Sequence, residues 1–288
     1  MQIDGSPYSY RPLDSVSAIR ILALHPAQDF LEPLEADLLH ADREQMLLLQ
    51  GYPKRYDAVS YCWGEATFSQ QISCQGYPIR ITYRVDTMLR HLRKKARERV
   101  LWIDAICLDQ LNAEEKAVQV ALMGDIYRQA RTVHVWLGDA SDEHCIPDIF
   151  ALFRAMAVRK DRLAFQKASL DAGTHATKVD MSTLIADHAL SSFLARPWFQ
   201  RRWVLQEVVL GNNVKVRCGR FKIPWSWLAE GTSALVSGSD SNRVLEQHGD
   251  AIFHVLALHE RKDHLLDLLG KFHAAQCSDP RDRLYALF

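Results

Sequence analysis

The chain lacks the short signatures of several common chemistries. It contains no G-x-x-x-x-G-K-[ST] and no G-x-G-x-x-G, so neither phosphate-binding loop is supported, and no H-E-x-x-H. Its six cysteines, Cys62, Cys74, Cys107, Cys145, Cys218 and Cys277, include no C-x-x-C pair. That scatter fits neither a disulfide framework nor a zinc site. His254, His259 and His264 recur every five residues, a spacing that does not align them on a helix. No metal centre is expected. Net charge is missing too: 35 basic and 35 acidic side chains give a formal +0. A broad electrostatic footprint for polymeric nucleic acid or anionic lipid is thereby excluded. No run of about eighteen apolar residues could span a membrane, and the first thirty residues lack the basic start and apolar stretch of a signal peptide. An intracellular, cytoplasmic protein is expected. Internal repeats and low-complexity segments are absent.

What is present is ordinary globular composition, 48% hydrophobic and 24% charged over 288 residues. The length suits a single domain, with a core over about 56–220, a lead-in at 1–55 and a helical part at 221–288. Ala18–Leu24 reads as a strand ended by Pro26, and Leu34–Leu39 as a partner for it. Tyr56-Asp-Ala-Val-Ser-Tyr-Cys-Trp-Gly64 is a short β-prone run stopped by a glycine. Residues 71–82 predict two small strands about a Gly-containing turn. Val85, Met88, Leu89 and Leu92 form the apolar stripe of a helix over 85–95; the basic run Arg90–Arg97 is then its solvated face. Val100–Cys107 is nearly all apolar, as expected of a strand buried on both faces. Asn112 three before Glu115 resembles a capping box, opening a helix to about Ala130. A third buried strand follows at 132–138, and a fourth at Val214–Cys218.

Between these last two strands the spacing predicts helices near 146–157 and 181–194, joined by a polar connection. Another is expected over Trp198–Leu210, with Pro197 suited to its first turn. Pro224–Leu228 starts a further helical stretch. Asp279 and Pro280 open a last helix within which the chain stops, so a piece of a longer protein is expected. Strand, helix, strand, helix, strand from residue 56 onward predicts an α/β fold built on a parallel sheet with the first strand flanked by the second and third.

In an open parallel sheet, ligands bind beyond the carboxyl ends of the strands. Tyr61–Gly64, Asp104–Gln110 and Gly138-Asp139 should converge there, with the 198–210 helix flanking the mouth. Two acids interrupt apolar faces. Asp104 sits within Leu-Trp-Ile-Asp-Ala-Ile, and Glu207 shares a predicted helix face with Phe199 and Trp203. A carboxylate among aromatics costs free energy unless it is paired or used. Asp104 either bonds loop backbone amides or acts in a site. Glu207 either pairs with an arginine such as Arg201 or Arg202 or acts in the same site. Trp63 either packs or offers a stacking platform. A hydrolase built on Cys62, a histidine and Asp104 would need an activated thiolate, for which no local feature provides.

Several long motifs, in order, resemble the fungal heterokaryon-incompatibility (HET) domain. They are Tyr56–Gly64, Leu101-Trp-Ile-Asp-Ala-Ile-Cys-Leu-Asp-Gln110, Met123-Gly-Asp-Ile-Tyr127, Val135-Trp-Leu-Gly138, Arg196-Pro-Trp-Phe-Gln-Arg-Arg-Trp-Val-Leu-Gln-Glu207 and Asp279–Leu287. Tyr10-Arg-Pro-Leu13 and Ile19-Arg-Ile-Leu22 fit its lead-in. The resemblance implies a role in non-self recognition and programmed cell death. HET domains are in turn similar to TIR domains, which implies a flavodoxin-like, three-layer parallel sheet with helical and β-hairpin insertions.

Many TIR domains cleave NAD with a glutamate on the helix before the fourth strand, and Trp203-Val-Leu-Gln-Glu207 is similar to that stretch. By this resemblance Glu207 is the catalytic carboxylate, with Asp104 beside it. Tyr61, Trp63, Gly64, Trp203, Arg201 and Arg202 are the nucleotide-binding candidates, the two arginines for pyrophosphate. Ser60-Tyr-Cys-Trp-Gly64 departs from the TIR serine–aromatic–arginine run, so contacts there do not carry over. NAD or a related nucleotide is expected as substrate, with no separate cofactor. Self-association and an upstream recognition domain or protein are the expected partners. A non-catalytic adaptor working by homotypic contacts is the alternative.

Overall fold

A computed structural model describes residues 6–48, 56–140, 145–169, 187–237, 241–260 and 275. The chain divides into two compact units: Met1–Asp139 with Gln206–Val214, and Ala140–Leu205 with Lys215–Leu287.

The first unit is built on strands β1 (Ala18–Leu24), β2 (Glu35–Asp42), β3 (Asp57–Tyr61), β4 (Gln70–Cys74), β5 (Tyr77–Ile81), β6 (Arg99–Trp102) and β7 (Val133–Trp136), in the spatial order β5-β4-β2-β1-β6-β3-β7. The predicted parallel centre is there: β3 lies between β6 and β7 and runs parallel to both. The rest corrects the expected parallel sheet to a mixed one, because β1 is antiparallel to both β2 and β6. Only residues 25–34 separate β1 from β2, too few for the helical crossover a parallel pair requires. β1 and β3 are buried along their whole length, which explains their mostly apolar sequences and leaves Arg20, Asp57 and Ser60 as buried polar groups.

The β4–β5 hairpin turns through Gln75 and Gly76, both at positive φ (51° and 86°). Two left-handed central residues match the right-handed twist of the flanking strands. The hairpin joins the sheet edge through parallel pairing of β4 with β2.

Three of the next four helices stand near expected positions with shifted ends; the one directly after β2 was not expected. α1 (Arg43–Leu48) follows β2. α2 (Tyr83–Leu92) is capped by Thr82, whose hydroxyl accepts from Val85 N. The predicted helix over 112–130 is two, α4 (Ala113–Ala121) and α5 (Met123–Gln129), hinged at Leu122. Asn112 caps α4 as expected, accepting from Glu115 N at 3.1 Å. The reciprocal half of the capping box is absent: Glu115 instead accepts from Asp109 N (3.0 Å) and from Arg20.

The predicted strand over 100–107 is also corrected. β6 ends at Trp102, and Asp104–Cys107 form a helical turn, α3. An acid in the first position of a helical turn is favoured by the exposed amides there. Asp104 accepts from Ala105 N at 2.8 Å, which an extended strand would not offer.

The second unit holds α6 (Cys145–Ser169), α7 (Asp187–Leu194), a 3-10 turn at Pro197–Gln200, β8 (Val214–Cys218), β9 (Phe221–Pro224), α9 (Trp225–Val236) and α10 (Ser241–Glu260). β8 is the predicted fourth strand, its first residue counted with the first unit, and it pairs antiparallel with β9. The predicted helix over 198–210 does not run through. Its start is the 3-10 turn, with Pro197 at the front; Arg201 is extended (φ −77°, ψ 141°), and α8 (Val204–Val209) begins afterwards. Phe199, Trp203 and Glu207 therefore do not share one continuous helix face.

Burial explains the break. Trp198 and Phe199 sit in an aromatic cluster in which Phe193 meets Phe150, Phe153 and Phe199, and Trp198 meets Trp225. His254 on α10 contacts the Phe199 carbonyl at 2.9 Å. The helix opened by Asp279 and the remainder of the expected 181–194 helix lie outside the described residues.

Gly231 on α9 allows close approach of α6. A Cβ there would lie 2.5 Å from Phe153 Cδ1 and 2.9 Å from its Cα. Gly231→Ala should therefore destabilise the protein by about 1–3 kcal/mol, although alanine is the better helix former. A urea unfolding midpoint at or above wild type would show that the helices can separate without cost.

Candidate functional site

Two pairs of side chains meet at the carboxyl half of β3. Ser60 is completely buried and donates its hydroxyl to Glu207 Oε2 in a short hydrogen bond; Glu207 is itself 2% exposed. Three residues on, Trp63 donates its indole N–H to Asp104 Oδ2 at 2.8 Å. Strand β3 places Ser60, the loop after it places Trp63, α3 places Asp104, and α8 places Glu207. These four belong to the first unit.

The Trp63–Asp104 bond holds both side chains in place. Trp63 is 36% exposed, so it is not a buried packing residue. Its ring is tethered by one edge, because Asp104 is fixed at both oxygens, Oδ1 by Ala105 N and Oδ2 by the indole. Gln110 donates to the Asp104 carbonyl at 2.8 Å and holds the turn. A half-exposed indole with its orientation fixed is a suitable platform for a flat ring. Gly64 follows at φ 70°, a left-handed conformation that side chains rarely adopt.

Gly64 also exposes a residue that sequence reasoning missed. A Cβ at position 64 would lie 2.5 Å from Arg84 Nε. The exposed Arg84 guanidinium thus packs directly on the Gly64 backbone. Nothing in the pattern around α2 signals this, because Arg84 sits among the first residues of a helix, where any polar residue is ordinary. At the end of β7, Trp136 stacks on His91 (centroids 5.3 Å), and His91 lies 3.9 Å from Asp139.

Tyr61 is buried. Of the candidates in the second unit, Arg202 is buried to 1% exposure, while Arg201 and Trp203 are half-buried. Cys62 has no hydrogen bond to a histidine among the described residues. Cys107 is fully buried, and burial pushes its thiol up to about 12, which suppresses the thiolate. Cysteine chemistry gains no support.

A second charged cluster lies at the opposite, amino end of the parallel strands. Asp57, the first residue of β3, accepts from Arg131 Nε at 2.9 Å and Arg99 Nη2 at 3.1 Å, with His134 Nε2 at 3.4 Å. Burial alone would raise the Asp57 carboxyl, but hydrogen bonds from His134 and Arg131, with the charges of His134 and Arg99, outweigh it. The carboxyl is held below its ordinary 3.8.

A group that ionises more readily when folded contributes stability above its unfolded pKa and loses it as pH falls towards the folded one. Asp57→Asn should therefore be less stable than wild type at neutral pH, and that deficit should shrink as pH drops below about 4. Chemical denaturation across this range checks it; a deficit constant down to about pH 2.5 would contradict the linkage.

Fold and site together define an α/β domain with a buried serine–glutamate pair and a tethered indole at the carboxyl half of its parallel strands. The family model described as "Heterokaryon incompatibility protein (HET)" matches residues 56–207, from the start of β3 to Glu207. The chain belongs to this family. It is also similar to "Heterokaryon incompatibility protein 6, OR allele" of Neurospora crassa, 34% identical over 249 residues, which cover 75% of this chain and 35% of that protein. The chain thus spans about a third of the length of that relative. No solved structure matches. Among the described residues, no helix is long and apolar enough to cross a membrane.

Proposed function

We propose that this chain is a TIR-like death-effector domain of fungal incompatibility, which cleaves the glycosidic bond of NAD or a related nucleotide when assembled. The observation that carries the reading is the Ser60–Glu207 pair: a carboxylate held on a parallel strand, three residues before an indole tethered in the open. Cleavage of the nicotinamide–ribose bond releases neutral nicotinamide and leaves an oxocarbenium-like sugar, which water then attacks, losing one proton to solvent. Nicotinamide needs no general acid. A preorganised carboxylate at Glu207 stabilises the positive charge that develops on the ribose. The Ser60 hydroxyl fixes one carboxylate oxygen and so orients the group. Trp63 stacks on a base or nicotinamide ring, and Arg84 takes the pyrophosphate.

One observation favours the adaptor alternative. Glu207 is almost completely buried, and a catalytic carboxylate must reach its substrate. The proposal therefore requires self-association, or release by an upstream partner, to open the approach to Glu207. The test is incubation of the purified chain, free and fused to a module that forces assembly, with NAD and with related nucleotides. Nicotinamide or free base should appear only in the assembled form. Absence of product from every nucleotide, assembled or free, would favour the adaptor.

A further inference from the structure

The antiparallel strands that the sequence pattern did not place beside β6 bring three metal-binding side chains together. Leu24 on β1 pairs with Ala36 on β2 and with Arg99 on β6, and Ala23 pairs with Asp37. One residue past Leu24, His25 keeps the ladder going by donating its amide to the Glu35 carbonyl at 2.9 Å. Continuing the β1–β6 register sets His25 opposite Glu98. Asp37 lies diagonally across from His25 on the other side. Side chains alternate faces along a strand, so His25, Asp37 and Glu98 project from one face of three adjacent strands. Their ligand atoms all lie within 4.8 Å of one another, with His25 Nε2 3.0 Å from Asp37 Oδ2.

The geometry points to a binding site for a divalent first-row transition ion, zinc by preference, held by His25, Asp37 and Glu98. One imidazole and two carboxylates match the nitrogen and oxygen ligands of such ions, whereas calcium and magnesium favour oxygen alone. Tetrahedral zinc spaces such ligand atoms roughly 3.3 Å apart, so small rotations of the two half-buried side chains and the exposed Glu98 close the set. Two carboxylates this close repel, and a bound dication offsets both. Three protein ligands leave a coordination position open to water. The backbone beneath is braced, since Ala27 N donates to the Lys94 carbonyl and Gln28 to the Lys95 carbonyl. The site is separate from Glu207 and Asp104 and does not depend on the proposed reaction.

Titration of the purified chain with zinc chloride by calorimetry, and with cobalt chloride by absorption, tests this. One ion should bind wild type, and the cobalt spectrum should show tetrahedral d–d bands without the near-ultraviolet thiolate band that cysteine ligands give. His25→Ala and Asp37→Asn should each weaken binding by about tenfold or more while melting, metal-free, like wild type. Glu98→Gln, at an exposed position, should weaken it too and serves if His25→Ala compromises folding. Equal binding by wild type and all three variants, a thiolate-dominated cobalt spectrum, or no binding by wild type would overturn the assignment.

Discussion

Glu207→Gln should cut nucleotide turnover by roughly a hundredfold or more, on the order of 3 kcal/mol, the scale for removing one preorganised electrostatic group. Glutamine has nearly the size of glutamate, and its carbonyl can still accept the Ser60 hydroxyl. The folded state keeps that bond, and a carboxylate that serves the reaction rather than the fold can be neutralised with thermal stability near wild type. A structural carboxylate behaves differently. Neutralising it would leave any cationic partner unpaired and destabilise the fold by several kcal/mol. Turnover and melting temperature measured on the same preparations separate the roles. Full turnover in a normally folded variant removes Glu207 from catalysis, and a badly destabilised variant makes it a structural acid.

The second large effect is expected at the other end of the chain's chemistry, in the lead-in. Arg20 on β1 has a fully buried side chain and grips Glu115 at both oxygens, 2.5 Å and 2.8 Å. It also donates to the carbonyls of Arg11 (2.6 Å) and Cys107 (3.3 Å), and its guanidinium lies 5.1 Å from the Tyr10 ring centre. The Arg20 hydrogen bond, against burial and aided by the Asp109 amide, holds the Glu115 carboxyl below its ordinary value.

Tyr10, Arg20, α3 and α4 are thus fastened by one cation. Removing one partner of a buried pair strands the other, so Arg20→Met should cost about 3–5 kcal/mol. The melting temperature should fall by about 10 °C or more. Replacing both partners with apolar residues of similar size, Arg20→Met with Glu115→Leu, should recover much of that loss, because no unpaired charge remains. A single variant as stable as wild type would show that water replaces the pair.

Periodicity carried the local elements and failed where long-range packing decides. Mostly apolar, β-prone runs announced β1, β3, β6 and β7, and the position of Asn112 announced the start of α4. The stretch from Arg196 to Glu207 misled, because a 3-10 turn, a break and a short helix have the same apolar spacing as one helix. Its first half, with Trp198 and Phe199, builds the aromatic cluster of the second unit, while Glu207 serves β3 of the first. Asp104 stood out as an acid in an apolar run, but its partner Trp63 lies 41 positions away, a pairing that no local pattern encodes. Arg84 on Gly64 and the His25–Asp37–Glu98 group were invisible for the same reason: both depend on how strands and loops are set beside one another.

The proposed reaction makes Glu207 the carboxylate that cleaves the nucleotide. Its most direct test is nicotinamide released from NAD by wild type and Glu207→Gln in parallel, each fused to the same assembly-forcing module. Release by wild type, with the folded variant reduced to near background, is the predicted result. Equal release by both, or none by an assembled wild type, would contradict it.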